Sequence, residues 1–343
     1  MDVPLRYLTE AEARTCLPPV ERQVAACRDA LAALRHPAHA GASGRSHLPP
    51  KVSLDVARGR AFSDAMPAVV EVNHRRLVGM KWISGDPERE APSIDGLILL
   101  EDPERGRIRG LIAASHLTAV RTAAVSLVAL EVAPPRTNRV VQGETWRVTF
   151  VGGGVQAFSH REALHAVVPD AHVTFVTRRD ARELPCRRGD EVVTPDQRRA
   201  AVEGADVVIT SAAFGTPDRE IDAAWLTPGA TVVATDYATC VTPKMLEGVR
   251  AANGADGLAL VVDDMTQFDA FRQAGKLPGY GTADASLGDL IEDRAARLRL
   301  GRDRDEGATV IVNHLGVAAC DLALADLVLG EAERRGVGTP LAR

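Results

Sequence analysis

The sequence predicts an α/β protein, a doubly wound parallel sheet joined to a smaller α/β domain, on three observations. The chain has 343 residues, and at about 150 residues per domain that length suggests two domains. Up to about residue 130, short extended runs follow one another, whereas from Arg147 they alternate with helix-length segments, the rhythm of a parallel sheet. Finally, Val148–Ala157 sets three consecutive glycines between a strand and a helix.

Taken in order, Leu8 to Leu34 reads as a helix capped by Thr9, with acids in its first turn. Arg35–Pro50, rich in Gly, Ser, His and Pro, reads as a loop. Ala68–Val72, Leu77–Ile83 and Gly96–Leu100 are apolar extended runs divided by Gly85-Asp86-Pro87 and Glu104-Arg105-Gly106, which predicts an antiparallel meander. Thr118–Val132 is a helix that Pro134-Pro135 ends, and Arg136–Trp146 is a polar connector. Five strands then follow: Arg147–Val151, His172–Val176, Asp206–Ser211, Thr231–Thr235 and Leu258–Val262, with helix Val155–Val168 after the first. Thr309–Gly330 is a β-prone run and an amphipathic helix, and Arg334–Arg343 reads as a mobile tail.

Composition narrows the function classes. Lys and Arg total 41 against 46 Asp and Glu, a net charge of −5, which offers no electrostatic footprint for nucleic acid or an anionic membrane. Aromatic residues are only 4%, too few for stacking platforms. Cys16, Cys27, Cys186, Cys240 and Cys320 are scattered and odd in number, against a disulfide framework or a zinc site. His160 and His165 are five apart and miss the shared helix face of an i, i+4 pair, so no metal site is expected. The N-terminus has acids and no apolar core, and no apolar run spans a membrane. The reading is a cytoplasmic enzyme or small-molecule binder.

Gly152-Gly153-Gly154-Val155-Gln156-Ala157 fits G-x-G-x-x-G/A after a strand and before a helix. In a dinucleotide site the first glycine makes the tight turn and the second admits the pyrophosphate to the backbone. The small third residue packs the helix on the strand, and the helix N-terminus supplies N–H groups and its dipole. NAD sites place an acid at the end of the second strand, but here the chain reads Thr177-Arg178-Arg179. Those residues suit a 2′-phosphate and favour NADP(H) over NAD(H). Alternatively, the arginines are a solvated pair and Asp180 caps the next turn.

At this point the chain resembles the ornithine cyclodeaminase/μ-crystallin family. The resemblance rests on Met66-Pro67, Gly79-Met80-Lys81, Leu117-Thr118-Ala119-Val120-Arg121-Thr122-Ala123-Ala124 and the glycine loop. It continues through Ala205–Thr210, Asp236, Leu315-Gly316-Val317-Ala318 and Asp321. It implies a Rossmann domain over residues 130–309 and a substrate-binding and dimerisation domain built from residues 1–129 and 310–343. It further implies a homodimer and chemistry at the Cα–N bond of a small amino, imino or oxo acid.

The resemblance also distributes roles. Gly152, Gly153, Gly154, Val155, Gln156, Thr177, Arg178, Arg179, Thr210 and Gly316 would hold the cofactor. Arg121, the cation in an apolar helix, would clamp the substrate carboxylate, since bidentate recognition favours Arg; it could instead form a salt bridge. Lys81 would touch the substrate as a catalytic lysine, or face solvent from its strand. Lys51 stands where the family has a carboxylate-binding arginine, and Asp64 aligns with an acid that touches a distal amine. Asp236, after a strand, would exchange the proton while hydride moves, or cap the following turn.

Two departures separate the chain from the family pattern. After Asp236 it reads Tyr237-Ala238-Thr239-Cys240-Val241-Thr242 in place of a P-x-K-x-E turn, and His314 replaces a small hydroxyl residue before Gly316. His314 would then face substrate or nicotinamide, or be a hydrogen-bonded core histidine. The leading reading is an NAD(P)-dependent oxidoreductase on C–N bonds, an imine reductase or amino-acid dehydrogenase. A cyclodeaminase with bound NAD+ and an NADPH-dependent binding protein are the alternatives.

Overall fold

A computed structural model describes residues 5–35, 46–56, 61–86, 93–184, 186–213, 218–254 and 257–342. Most of the expected loop Arg35–Pro50 and Pro87 of the first turn signal lie outside these residues. The chain opens with β1 (Leu5–Leu8) and α1 (Glu10–Thr15). Thr9 caps α1: its hydroxyl accepts from the Glu12 N–H, and the Glu12 carboxylate accepts from the Thr9 N–H at 2.9 Å, a reciprocal cap worth about 1 kcal/mol. Helix α2 (Val20–Ala33) begins only after Pro18 and Pro19. The single helix expected over Leu8–Leu34 is therefore a strand and two helices, because proline has no N–H to continue a helix and holds the residue before it extended.

Strands β2 (Val52–Asp55), β3 (Phe62–Val72), β4 (Arg75–Gly85), β5 (Ile94–Asp102) and β6 (Arg107–Ala113) form the meander. Helices α3 (Ser115–Val132) and α4 (Asn138–Val141) follow. Next come β7 (Arg147–Val151), α5 (Val155–Val167), β8 (His172–Val176), β9 (Glu191–Val193), α6 (Arg198–Glu203), β10 (Val207–Thr210) and β11 (Thr231–Ala234). Then α7 (Pro243–Asn253), β12 (Leu260–Val262), α8 (Met265–Gln273), β13 (Ala285–Ser286), α9 (Leu287–Glu292) and α10 (Arg294–Asp305) lead to β14 (Val310–Asn313). The chain closes with α11 (Ala318–Arg335) and β15 (Thr339–Leu341). No helix among the described residues is long and apolar enough to cross a membrane.

Two compact units result, Met1–Val125 with Gly316–Arg343, and Ser126–Leu315. The first unit is a seven-stranded sheet in the order β15-β1-β6-β5-β4-β3-β2. Strands β2 to β6 pair antiparallel, β1 lies parallel to β6, and β15 lies antiparallel to β1 with Leu341 opposite Leu5. The tail expected to be mobile thus supplies an edge strand, because backbone pairing to β1 satisfies groups that its sequence gave no apolar reason to order. Helices α2 and α11 pack on one face, where Met66, Ala68, Val70, Ile98 and Leu100 are buried. On the opposite face Trp82 and its register partner Leu97 are 40% and 42% exposed.

The second unit is an eight-stranded, wholly parallel sheet in the order β13-β12-β14-β11-β10-β7-β8-β9. Strands β9 and β13 have three and two residues, too short for their periodicity to register in the sequence. The order runs outward from β7 through β8 and then reverses to β10, the switch point of a doubly wound fold. Arg304, 2% exposed, donates to the carbonyls of Pro134, Gly229, Ala230 and Ala308 at 2.7–2.8 Å. It thereby ties the connector after α3 to the amino ends of the strands, while burial lowers its pKa to about 10.

Candidate active site

The carboxyl ends of β14, β11, β10 and β7 lie side by side in the second unit, the edge at which open parallel sheets bind ligands. Gly152 leaves β7 with φ +137°, and a Cβ there would stand 2.7 Å from the Ser211 carbonyl oxygen. Only glycine takes this turn at this closeness. A Cβ on Gly154, the residue that caps α5, would meet nothing within 4 Å, and Ala157 is fully buried. The first N–H groups of α5 have no intrahelical acceptor. The loop is thus an open cradle of donors that fits a pyrophosphate.

Thr177 follows β8, is buried, and accepts at Oγ1 from the Arg179 N–H at 3.2 Å. Arg179 in turn donates from Nη1 to the Gly153 carbonyl at 3.0 Å, while Arg178 is exposed. Asp180 caps the short turn Ala181–Glu183 and pairs with Arg182 at 2.6 Å. The end of β8 therefore presents a hydroxyl and two guanidinium groups, with its acid already engaged.

Asp236 follows β11 and is 1% exposed. Its Oδ1 accepts from the Thr210 hydroxyl at 2.8 Å and its Oδ2 from the Ala212 N–H at 3.1 Å. The Cys240 thiol and N–H also donate to it, yet burial outweighs these donors and pushes its pKa above the usual carboxylate range. A buried carboxyl whose pKa is raised this way binds its proton more tightly than an exposed one and can give or take one during a reaction. Thr210, expected at the cofactor, spends its hydroxyl on Asp236. Tyr237, in the left-handed region at φ +55°, turns the chain sharply after Asp236, and Asn313 at the end of β14 donates to its carbonyl at 3.3 Å. His314, the next residue, is buried and donates its N–H to the Ala234 carbonyl at 3.1 Å.

The first unit gathers the cations. Lys81 Nζ and Arg121 Nε both donate to Asp321 Oδ1, at 2.9 and 3.0 Å. Asp321 Oδ2 is buried with no hydrogen-bond partner. Lys51 pairs with Asp64 at 3.8 Å, both buried. Lys81 is 1% exposed. It lies on the helix-covered face, and the solvent-facing alternative for it is wrong, since the pleat turns Trp82 outward instead. Burial, with Arg121 and Lys51 nearby, lowers the Lys81 pKa to about 7, although Asp321 pulls it up. Gly316 has φ +84°, and a Cβ there would lie 2.8 Å from an Arg121 guanidinium nitrogen. This expected cofactor glycine is thus what lets the guanidinium lie against the backbone.

A sequence model of the ornithine cyclodeaminase/mu-crystallin family matches residues 18–335. The chain belongs to that family. A nodulation efficiency protein, NfeD, of Rhizobium meliloti is 29% identical over 305 residues, covering 87% of this chain and 88% of that protein. An alanine dehydrogenase of Archaeoglobus fulgidus is 27% identical over 320 residues, covering 88% and 89%. Among solved structures, Thermococcus litoralis Δ1-pyrroline-2-carboxylate reductase in complex with NADH and L-proline superposes with TM-score 0.75 at 20% identity. It covers 98% of this chain and 100% of that one, and shows the same fold.

Within this family member, two functional-looking side chains carry no role in the sequence reading. Asp321 is the acid on which Lys81 and Arg121 converge, and Asn313 holds the turn after Asp236. Asp321 has a signal: it is one of two acids in the apolar run Ala318–Leu329, where an unpaired charge would be costly. Asn313 has none, since only the fold brings it to Tyr237.

Proposed function

We propose that this protein is a nicotinamide-dependent oxidoreductase acting on the C–N bond of a small amino or imino acid, as an imine reductase or an amino-acid dehydrogenase. The observation that carries this reading is the pair Lys81 and Arg121, both buried and both on one oxygen of Asp321. Taking two cations out of water is costly, and a carboxylate ligand repays it by adding a second anion beside them. With Lys81 in its ammonium form, Lys51, Lys81 and Arg121 are three cations gathered on the carboxylates Asp64 and Asp321, a setting that suits an incoming anion.

The residues of the second unit suit the other half of the reaction. Gly152–Gln156 would hold the pyrophosphate, and Thr177, Arg178 and Arg179 would read a 2′-phosphate, which makes NADP(H) the preferred cofactor. The bound nicotinamide would give hydride to the substrate Cα or take it. Asp236 would supply or remove the proton at the substrate nitrogen, and His314 would contact the substrate. A diamino-acid cyclodeaminase is less well served, because Asp64, the acid that a distal amine would need, already has Lys51 as counter-ion. The assembly proposed is a homodimer.

The test follows the absorbance of NADPH or NADH with a panel of cyclic imino acids and of 2-oxo acids with amines. Oxidation of the reduced cofactor by one of these is expected. No oxidation with any member would count against the reading, and ammonia release from a diamino acid without net cofactor change would establish the cyclodeaminase instead.

A further inference from the structure

The glycine loop is flanked by the loops that leave the two neighbouring strands. A Cβ on Gly153 would stand 2.5 Å from the Thr177 hydroxyl, after β8, and one on Gly152 2.7 Å from the Ser211 carbonyl oxygen, after β10. Each flanking loop carries an arginine: Arg178 directly after Thr177, and Arg219 further along from Ser211. The backbone at Arg219 is pinned on both sides. Arg198, at the start of α6, lies 5.8 Å from the Trp225 ring centroid and donates to the Asp218 carbonyl. The Ile221 N–H donates to the Cys240 carbonyl at 2.9 Å. Between them Asp218 takes the left-handed region at φ +56°, which few non-glycine residues adopt, so Arg219 leaves a fixed turn.

Two other arginines near the end of β8 are already engaged, Arg179 by the Gly153 carbonyl and Arg182 by Asp180. Arg178 is exposed and Arg219 half-buried, and among the described residues neither guanidinium has a hydrogen bond or an ion pair. Burial and then the charge of Arg178 lower the Arg219 pKa, so the two groups lie within reach of each other's field. Like charges held together without a counter-ion repel, and an anion that both can reach removes that cost. We propose that Arg219 is a second reader of the 2′-phosphate of NADP(H), joining Arg178 so that guanidinium groups from two loops take the one phosphate. The inference rests on the nicotinamide reading above and adds a residue from the β10 loop to it. A phosphate monoester carries nearly two charges at neutral pH, and planar guanidinium groups match its oxygens in pairs. The pyrophosphate already has the glycine loop and the N-terminus of α5 as donors, which leaves the ribose side, read at the end of the second strand, for the two arginines.

Binding of NADPH and NADH, followed by the fluorescence of the reduced nucleotide, tests this without turnover. Arg219→Ala should weaken NADPH roughly 10- to 150-fold, the worth of charge-assisted hydrogen bonds, and leave NADH nearly unaltered. Adenosine 2′,5′-bisphosphate should displace the nucleotide better than 5′-AMP from the unmodified protein, and no better once Arg178 and Arg219 are both alanine. Rising salt should shrink the advantage of NADPH over NADH. Should Arg219→Ala fail to fold, Arg219→Gln keeps most of the side chain, removes the charge and carries the same test. Equal losses for NADPH and NADH would give Arg219 to the adenine or the pyrophosphate and overturn the proposal, as would NADPH binding unchanged in Arg219→Ala. A loss of NADPH in Arg178→Ala beside an unaffected Arg219→Ala would overturn this inference alone. Failure of the unmodified protein to bind either nucleotide would instead end the nicotinamide reading on which it rests.

Discussion

Lys81 Nζ, on β4, lies 2.9 Å from Oδ1 of Asp321 on α11, and Arg121 reaches the same oxygen at 3.0 Å. One carboxylate therefore holds two buried cations, with its other oxygen unbonded. In a low-dielectric interior this arrangement is far from neutral, and it makes Asp321 the hinge of the whole cluster.

Replacing Asp321 by Asn keeps the shape and removes the charge. Two buried cations then lose their shared anion, and the expected loss of stability is about 3–5 kcal/mol by urea denaturation. A loss under about 1 kcal/mol would put the pair in the class of exposed ion pairs and contradict its burial.

The Lys81 amine, held near pH 7, gives a pH dependence of definite sign. Above about pH 7 the free protein holds it neutral, so a carboxylate ligand that needs the ammonium must bring a proton with it. Affinity should fall as pH rises through 7, and calorimetry in buffers of different ionisation enthalpy should show proton uptake near pH 8. The stability term runs the other way. Between the folded value near 7 and the unfolded value near 10.5 the unfolded chain binds more protons, so the Lys81 contribution to stability rises with pH. Proton release on binding would refute this assignment.

The exposed side of the seven-stranded sheet carries a continuous row. Val52, Ala65, Trp82, Leu97 and Ala113 are successive register partners across five strands, with Val52 and Trp82 56% and 40% exposed. Apolar rows of this kind mark interfaces, and a second copy of the chain is the proposed occupant. Trp82→Glu should convert a dimer to a monomer in sedimentation, and a wild-type protein that sediments as a monomer would disprove the proposal.

Arg178 and Arg179 bear on cofactor choice. Changing both to Ala should weaken NADPH by roughly 10- to 150-fold, the 1.5–3 kcal/mol of charge-assisted hydrogen bonds, and leave NADH nearly unaltered. Because Arg179 also donates to the Gly153 carbonyl, Arg178→Ala alone separates phosphate reading from loop support. Equal losses for both cofactors would show that the arginines only brace the loop.

What the sequence disclosed follows from how each feature is encoded. The strands Arg147–Val151 and His172–Val176 were legible because each is a short run of β-branched and aromatic residues, mostly buried after an exposed first residue, and the glycine loop because its backbone admits few other residues. The break at Pro18 was present in the letters but masked by helical spacing on both sides. The role of Asp321 was hidden because its partners lie 200 and 240 residues away. No local pattern encodes such a meeting, and only the packing of α11 on β4 produces it. Lys81 shows the same limit: alternation fixes that it and Trp82 face opposite ways, but which face is covered is decided by a helix at the other end of the chain.

Asp236 offers the sharpest kinetic prediction. Burial raises its pKa, and the donors Cys240, Thr210 and Ala212 pull it back down. In the reductive direction the protonated acid is the competent form, so kcat should fall as pH rises through its pKa. Removing the thiol in Cys240→Ala withdraws a donor from the charged form, and the falling limb should therefore move to higher pH. Cys240→Ser, which keeps a donor, should move it less. Asp236→Asn should lower kcat by about 10²–10⁴-fold and erase the limb altogether. A full-rate Asp236→Asn enzyme with the limb intact would assign the proton to another group.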